Sequence, residues 1–180
     1  LSLNTSGAFN IAAGNGALFS NRANSGSTAI GSSAMIFADN RTADARYTYN
    51  TAVGYEALRG SATAANNTGR YNSAGGVQAL RLVSSGNYNT AVGALAGNTI
   101  STGNNNTAIG YDAQVPSGTT DNQIRIGNSA VTFACVQVAW TVTSDRRWKE
   151  QIRPLNFGND FIGQLRPVSY HRKNNANAEV

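Results

Sequence analysis

Cysteine and histidine occur once each in the 180 residues, as Cys135 and His171, and that scarcity excludes most familiar chemistry. A single cysteine forms no intramolecular disulfide and no cysteine-based zinc cluster. A single histidine, placed in a polar tail, leaves Ser-His-Asp and Cys-His catalysis almost nothing to work with. No cofactor and no metal are expected. Charged residues make up 13% of the chain, and no apolar run approaches the 18 residues of a membrane span, so membrane insertion is not expected. Residues 1–143 carry seven arginines against five acids, and residues 144–180 carry seven bases against four acids. The bases neither cluster over long runs nor interleave with aromatics, which argues against nucleic acid as a partner. The chain opens on Leu1 without a signal-peptide pattern and reads as a fragment.

Large apolar side chains are also few. Leu, Ile, Val and Phe number 35, about 19%, just under what a globular core needs. Alanine (27), asparagine (23) and glycine (19) dominate instead, so any interior is built from small side chains. One chain alone would bury too little, and partner chains or repeat stacking are expected to complete the core. The low charge removes half of the usual signature of disorder.

A short phrase recurs along the first two thirds of the chain: Asn10-Ile11-Ala12-Ala13-Gly14, Ser27-Thr28-Ala29-Ile30-Gly31, Asn50-Thr51-Ala52-Val53-Gly54, Asn72-Ser73-Ala74-Gly75-Gly76, Asn89-Thr90-Ala91-Val92-Gly93 and Asn106-Thr107-Ala108-Ile109-Gly110. A divergent seventh copy, Asn122 to Gly127, follows. The glycines are spaced by 17, 23, 22, 17, 17 and 17 residues, and two repeats therefore carry insertions, in Arg41–Tyr49 and Arg59–Tyr71. Such a period marks stacked repeats rather than an Asn/Gly/Ser linker. Each unit reads as a short strand, a turn at the glycine, a second short element opening on a small-plus-apolar pair (Ala17-Leu18, Ala34-Met35, Ala57-Leu58, Ala79-Leu80) and a polar loop. The insertions are expected to project from one face. Val53, Val92 and Ile109 are expected to occupy equivalent places and, with the alanines, to face a shared interior. No G-x-x-x-x-G-K-[ST] or G-x-G-x-x-G occurs. The N-x-[ST] matches at Asn4, Asn40, Asn66 and Asn105 follow from composition.

The phrase N-T-A-[VI]-G-x-x-A-L, closing with Asp121 to Asn128, resembles the head repeats of trimeric autotransporter adhesins and similar repeats in the shafts of phage tail fibres. The resemblance covers about residues 9–128. It implies an all-β, fibrous, homotrimeric parallel β-repeat, either a β-roll or akin to a triple β-helix, around a common axis.

Beyond the repeats, Ala130 to Val142 is rich in β-branched and aromatic residues and reads as strand with buried faces, Cys135 serving as a small apolar residue. Thr143-Ser144-Asp145-Arg146-Arg147-Trp148-Lys149-Glu150-Gln151-Ile152 follows. It is similar to the S-D-x-R-x-K-x-x-I opening of the endosialidase-type intramolecular chaperone, a domain that trimerises phage fibres and spikes and then cuts itself off. Ser144, Asp145, Arg147, Lys149 and Ile152 match, and Leu165-Arg166-Pro167-Val168-Ser169-Tyr170 resembles the family's next segment. The chain holds only the first part of that domain, since a later G-F-I-A-Q-E-like segment is missing before Val180. The organisation expected is a repeat shaft over 1–128, a β junction over 129–143 and a truncated chaperone start over 144–180, with a short helical opening. No role is assigned to His171 or the tail 172–180.

A serine hydroxyl needs a base, and without a usable histidine the candidate is Lys149, one of only two lysines. It must be neutral to act, and desolvation beside Arg146 and Arg147 favours that form. The resemblance implies that Ser144 attacks the Thr143 carbonyl, giving an ester by N-to-O shift that water resolves, with Asp145 holding the turn or orienting the arginines. A purely local reading makes Ser144 the N-cap of a helix beginning at Asp145, and the two are compatible.

Three functions follow. The first is a structural phage or viral fibre in the virion, binding a host cell-surface receptor or glycan and matured by self-cleavage. The second is a bacterial surface adhesin or filament. The third, a glycan depolymerase, needs clustered carboxylates, and Asp39, Asp44, Glu56, Asp112 and Asp121 are scattered over several repeats.

Overall fold

The computed structural model describes residues 1–41 and 46–137. Leu1–Ala134 form one compact unit and Cys135–Val180 a second, and every strand among the described residues lies in the first. Seven strands of three residues each, β1 (Ile11–Ala13), β2 (Thr28–Ile30), β3 (Thr51–Val53), β4 (Ser73–Gly75), β5 (Thr90–Val92), β6 (Thr107–Ile109) and β7 (Ile124–Ile126), make one parallel sheet in chain order. The repeated phrase is the register: Ala29 pairs with Ala52, Ala52 with Ala74, Ala74 with Ala91 and Ala91 with Ala108. Among the described residues the helical structure is a single 3₁₀ turn, Ala64–Asn66. The expected all-β parallel repeat is thus present, and each chain closes its own rungs as a roll.

The return side of each rung is bonded to the next in the same way. Met35 N–H donates to the Ala57 carbonyl, Leu58 N–H to Ala79 and Leu80 N–H to Ala96, at 2.9–3.0 Å. Neighbouring backbones come so close at the corner that a side chain is excluded. A Cβ on Gly54 or Gly93 would stand 2.5 or 2.6 Å from the carbonyl oxygen of the next rung's glycine, and both residues have φ near +130°. The 17-residue return of glycine is therefore a steric requirement of the stack.

Two sequence expectations are corrected here. Alanine and Val/Ile were expected to share one interior, but adjacent strand positions point to opposite faces. Ala29, Ala52, Ala91 and Ala108 are completely buried inside the roll, whereas Val92 is 53% exposed, with Ile109 beside it and Val53 beyond Gly75 on the same outer face. One chain alone was expected to bury too little, but the stacking of its own rungs gives it a core. Stacking aligns the alanine column with Leu18, Met35, Leu58 and Leu80, which sit at left-handed corners with φ of 49–50° and fill the space that the alanines leave. Each such leucine contributes about 2 kcal/mol of burial, enough to hold a strained corner costing about 1–2 kcal/mol.

The second insertion packs on the segment that precedes the first. The Arg59 guanidinium lies 5.5 Å from the centre of the Phe37 ring, and the Asn67 amide donates to the Phe37 carbonyl. Asp39, 2% exposed, is clamped by Arg41 Nη2 at 2.8 Å and Arg46 Nη2 at 2.9 Å, which compensates a buried charge that would otherwise be costly.

The segment read as a junction strand differs as far as it is described. Residues 131–137 form no strand, and Val131, Phe133 and Val136 are exposed, as is Cys135. Strand composition supplies the side chains of a sheet but not the ladder partner that a strand needs.

Candidate functional site

The proposed cleavage residues Thr143, Ser144, Asp145, Arg146, Arg147 and Lys149 lie outside the described residues. The described part offers three constructions on the repeat: a buried amide ladder, an outer sheet face and an aromatic edge.

The amide ladder is the first. The asparagine opening each phrase points inward: Asn72, Asn89 and Asn106 are fully buried. Asn72 N–H donates to Asn50 Oδ1, Asn89 N–H to Asn72 Oδ1, Asn106 N–H to Asn89 Oδ1 and Gln123 N–H to Asn106 Oδ1, all at 2.9–3.0 Å. Each amide Nδ2 then donates to a loop carbonyl, Gly69, Gly86, Gly103 or Thr120, at 2.8–2.9 Å. One side chain thereby satisfies a strand-entry N–H and a loop C=O that would otherwise be buried unpaired. Sequence reasoning treated these asparagines as composition, although their fixed place four residues before the glycine was the available signal. Asn89→Ala is expected to strand the Asn106 N–H and the Gly103 carbonyl and to destabilise the roll by roughly 2–5 kcal/mol. Thr99→Ala, which removes an exposed hydroxyl bond to Gln114, is expected to cost under about 0.5 kcal/mol. Urea unfolding of the two variants checks the contrast.

The outer sheet face carries the other two rows of every strand. Thr28, Thr51, Thr90 and Thr107 form one row, and Ile30, Val53, Val92, Ile109 and Ile126 form the other, each of these five between 42% and 59% exposed. Gly75 leaves a gap in the second row. The last rung differs inside: Arg125 stands where the others have alanine, and its Nε donates to the Gly127 carbonyl at 2.7 Å.

The aromatic edge precedes the strands. Phe9, Tyr47, Tyr49, Tyr71 and Tyr88 stack in series with centroid separations of 6.5, 5.4, 5.4 and 5.0 Å. The spacing is that of the rungs. The second rung has Gly26 where an aromatic is due, and Tyr47 from the first insertion fills it: a Cβ on Gly26 would lie 3.4 Å from Tyr47 and 3.1 Å from Tyr49. Beside Tyr71 and Tyr88 opens a groove of about 360 Å³ that Arg46 and Arg70 also line.

The described carboxylates do not form a hydrolytic pair. Asp39 is held by its two arginines, Asp112 accepts from Gln114 and Asp121 accepts from the Asn104 backbone. Glu56 accepts from Gln78 Nε2 at 2.8 Å and Arg81 Nε at 3.0 Å. Burial pushes its pKa up, but those hydrogen bonds and the charges of Arg81 and Arg59 outweigh it and hold the carboxyl below its ordinary value. A carboxylate depressed in the folded state adds stability above its unfolded pKa and loses it as pH falls through the folded one. Acid titration is therefore expected to weaken the roll below about pH 4.5 more in the natural chain than in Glu56→Gln, as read by thermal melting across pH 3–7.

Comparison with known proteins bears on the other end of the chain. Residues 144–180 match the family described as chaperone of endosialidase. The match starts at Ser144 and spans 37 of the 180 residues. No curated protein and no solved structure matches the chain.

Proposed function

We propose that this chain is the shaft of a homotrimeric phage or viral tail fibre or spike, that it meets the host surface, and that it carries the self-cleavage junction of its own trimerisation chaperone. The observation carrying this reading is the position of the chaperone match, which begins just after a stack of parallel β-rungs. Within it, residues 1–128 are the shaft, 129–143 the junction and 144–180 the chaperone start. Ser144 is the nucleophile, Lys149 its base, and Asp145 and Arg147 support them, the bond cut being Thr143–Ser144.

The outer face supports the trimer. Five Val/Ile side chains in one straight row, flanked by threonines, make an apolar stripe that a monomer leaves in water. Three rolls turned so that these rows meet would bury it around one axis. The alanines then build each roll and the Val/Ile row joins the three. A bacterial surface adhesin would use the same repeats, and the match at 144–180 is what favours the fibre.

The test has two parts. Sedimentation of the chain expressed with its complete chaperone should give three copies per particle, and a stable monomer would sink the assembly. N-terminal sequencing of the released piece should begin at Ser144, and any other first residue removes the mechanism.

A further inference from the structure

We propose that the groove beside Tyr71 and Tyr88 binds an acidic sugar residue of a cell-surface polysaccharide. This deepens the host-surface reading and rests on it. The groove is lined by Arg46, Arg70, Tyr71, Tyr88, Thr68, Ser85 and Asn87, and among the described residues no carboxylate lines it. Its volume of about 360 Å³ is at the small end of ligand sites.

Charge is the first argument. Arg46 reaches Asp39 through Nη2, while its buried Nε has no hydrogen-bond partner among the described residues. Arg70 is tied into the fold by its backbone, its N–H donating to Asn87 Oδ1 and its carbonyl accepting from Tyr88 N–H. Among the described residues no ion pair or hydrogen bond engages its guanidinium. Arg46 is thus largely committed to Asp39, whereas Arg70 borders the concavity with its guanidinium donors to spare, and such a planar fork suits a carboxylate.

The tyrosines supply the rest. Tyr71 and Tyr88 are stacked within 1° of parallel, so their electron-rich faces are turned toward each other. What an aromatic stack offers sideways is its electropositive ring edge and its phenol hydroxyls, and that rim favours an anion. Ladder packing also holds the rings rigid, so little side-chain entropy is lost on binding. Hydroxyls of Thr68, Ser85 and the two tyrosines complement a polyhydroxylated ring. A nucleic acid is disfavoured because the positive charge does not continue along the rungs: Arg70 is followed at the same place by Asn87 and then Asn104, and Tyr88 by Asn105.

The experiment uses the full chain, with isothermal titration of four probes: oligogalacturonate and a sialylated oligosaccharide as carboxylate arms, mannose 6-phosphate as the phosphate arm and maltohexaose as the neutral arm. At least one carboxylate probe is expected to bind, with maltohexaose at least tenfold weaker. Mannose 6-phosphate binding as well as the carboxylates would overturn the carboxylate preference. Arg70→Ala removes no internal bond among the described residues and is expected to weaken binding tenfold or more, with Arg70→Lys in between. Equal binding of maltohexaose, or an unchanged affinity in Arg70→Ala, overturns the proposal. So does a changed particle mass in Arg70→Ala, which would make the groove a contact between copies. Adsorption to a panel of whole bacteria separates the two readings. Adsorption kept by Arg70→Ala overturns the groove alone, and failure of the unaltered chain to adsorb to any of them removes the host-surface reading with it.

Discussion

Ser144→Ala, introduced into a precursor that runs through the whole chaperone domain, is expected to leave the chain uncut at Thr143–Ser144 while still allowing trimers to form. Removing the nucleophile removes the ester intermediate altogether, so the loss should be a thousandfold or more, roughly. Lys149→Ala should behave in the same way. Lys149→Arg is the more telling change, because a guanidinium keeps the charge and the length but does not give up its proton near neutral pH. If Lys149 is the base, the arginine variant stays whole too; if it only anchors a negative group, the arginine variant is cut. Cleavage should also quicken as pH rises, since only the neutral amine accepts a proton. Asp145→Asn should slow the reaction less than either. The 180-residue chain itself, without the rest of the chaperone, should remain intact, because the pair needs an assembled and desolvated setting. Electrophoresis with N-terminal sequencing reads every outcome, and equal cleavage of the Lys149→Ala precursor would remove the base.

The second large effect concerns assembly. Val92 is exposed on the outer face of the single roll, with Ile109 as its neighbour in the row and Val53 beyond the gap at Gly75. Val92→Asp should therefore leave the roll folded, since the side chain faces away from the alanine column. In a trimer built on that row the same change sets three carboxylates near one axis, and each buried unpaired charge costs about 3–5 kcal/mol. Sedimentation should show monomers with the β circular dichroism of the natural chain. Val92→Thr, which keeps the shape and exchanges one methyl for a hydroxyl, should still form trimers. If Val92→Asp assembles normally, the Val/Ile row is not the interface and the copies meet elsewhere. If it unfolds instead, the row belongs to the core.

How much of this was legible beforehand depends on which physical signal each residue left. The 17-residue return of Gly76, Gly93, Gly110 and Gly127 was readable because close backbone approach tolerates no side chain, and a steric veto shows in sequence as identity. The chaperone match at 144–180 was equally readable, as five residue types at fixed spacing from Ser144 to Ile152. The roles of the asparagines were missed: a polar residue in a polar repeat looks like solvent-facing loop until the stack is built. Only then do Asn72, Asn89 and Asn106 prove to be inside, each taking a backbone N–H from the next rung.

By itself, then, the amino-acid sequence determined the period, the parallel register and the alternation of small and branched side chains along each strand. Which face is the interior was decided only by the tertiary structure. Alternation says that Ala91 and Val92 point in opposite directions, but it does not say which of them turns inward. The corner does. A glycine turn followed by Leu58 or Leu80 at positive φ curls the chain toward the alanine side, where the leucines fill the volume the alanines leave, and so sends valine and isoleucine outward. The aromatic edge is likewise a tertiary product: Tyr47 reaches the gap at Gly26 because an insertion, and not the repeat, carries it there.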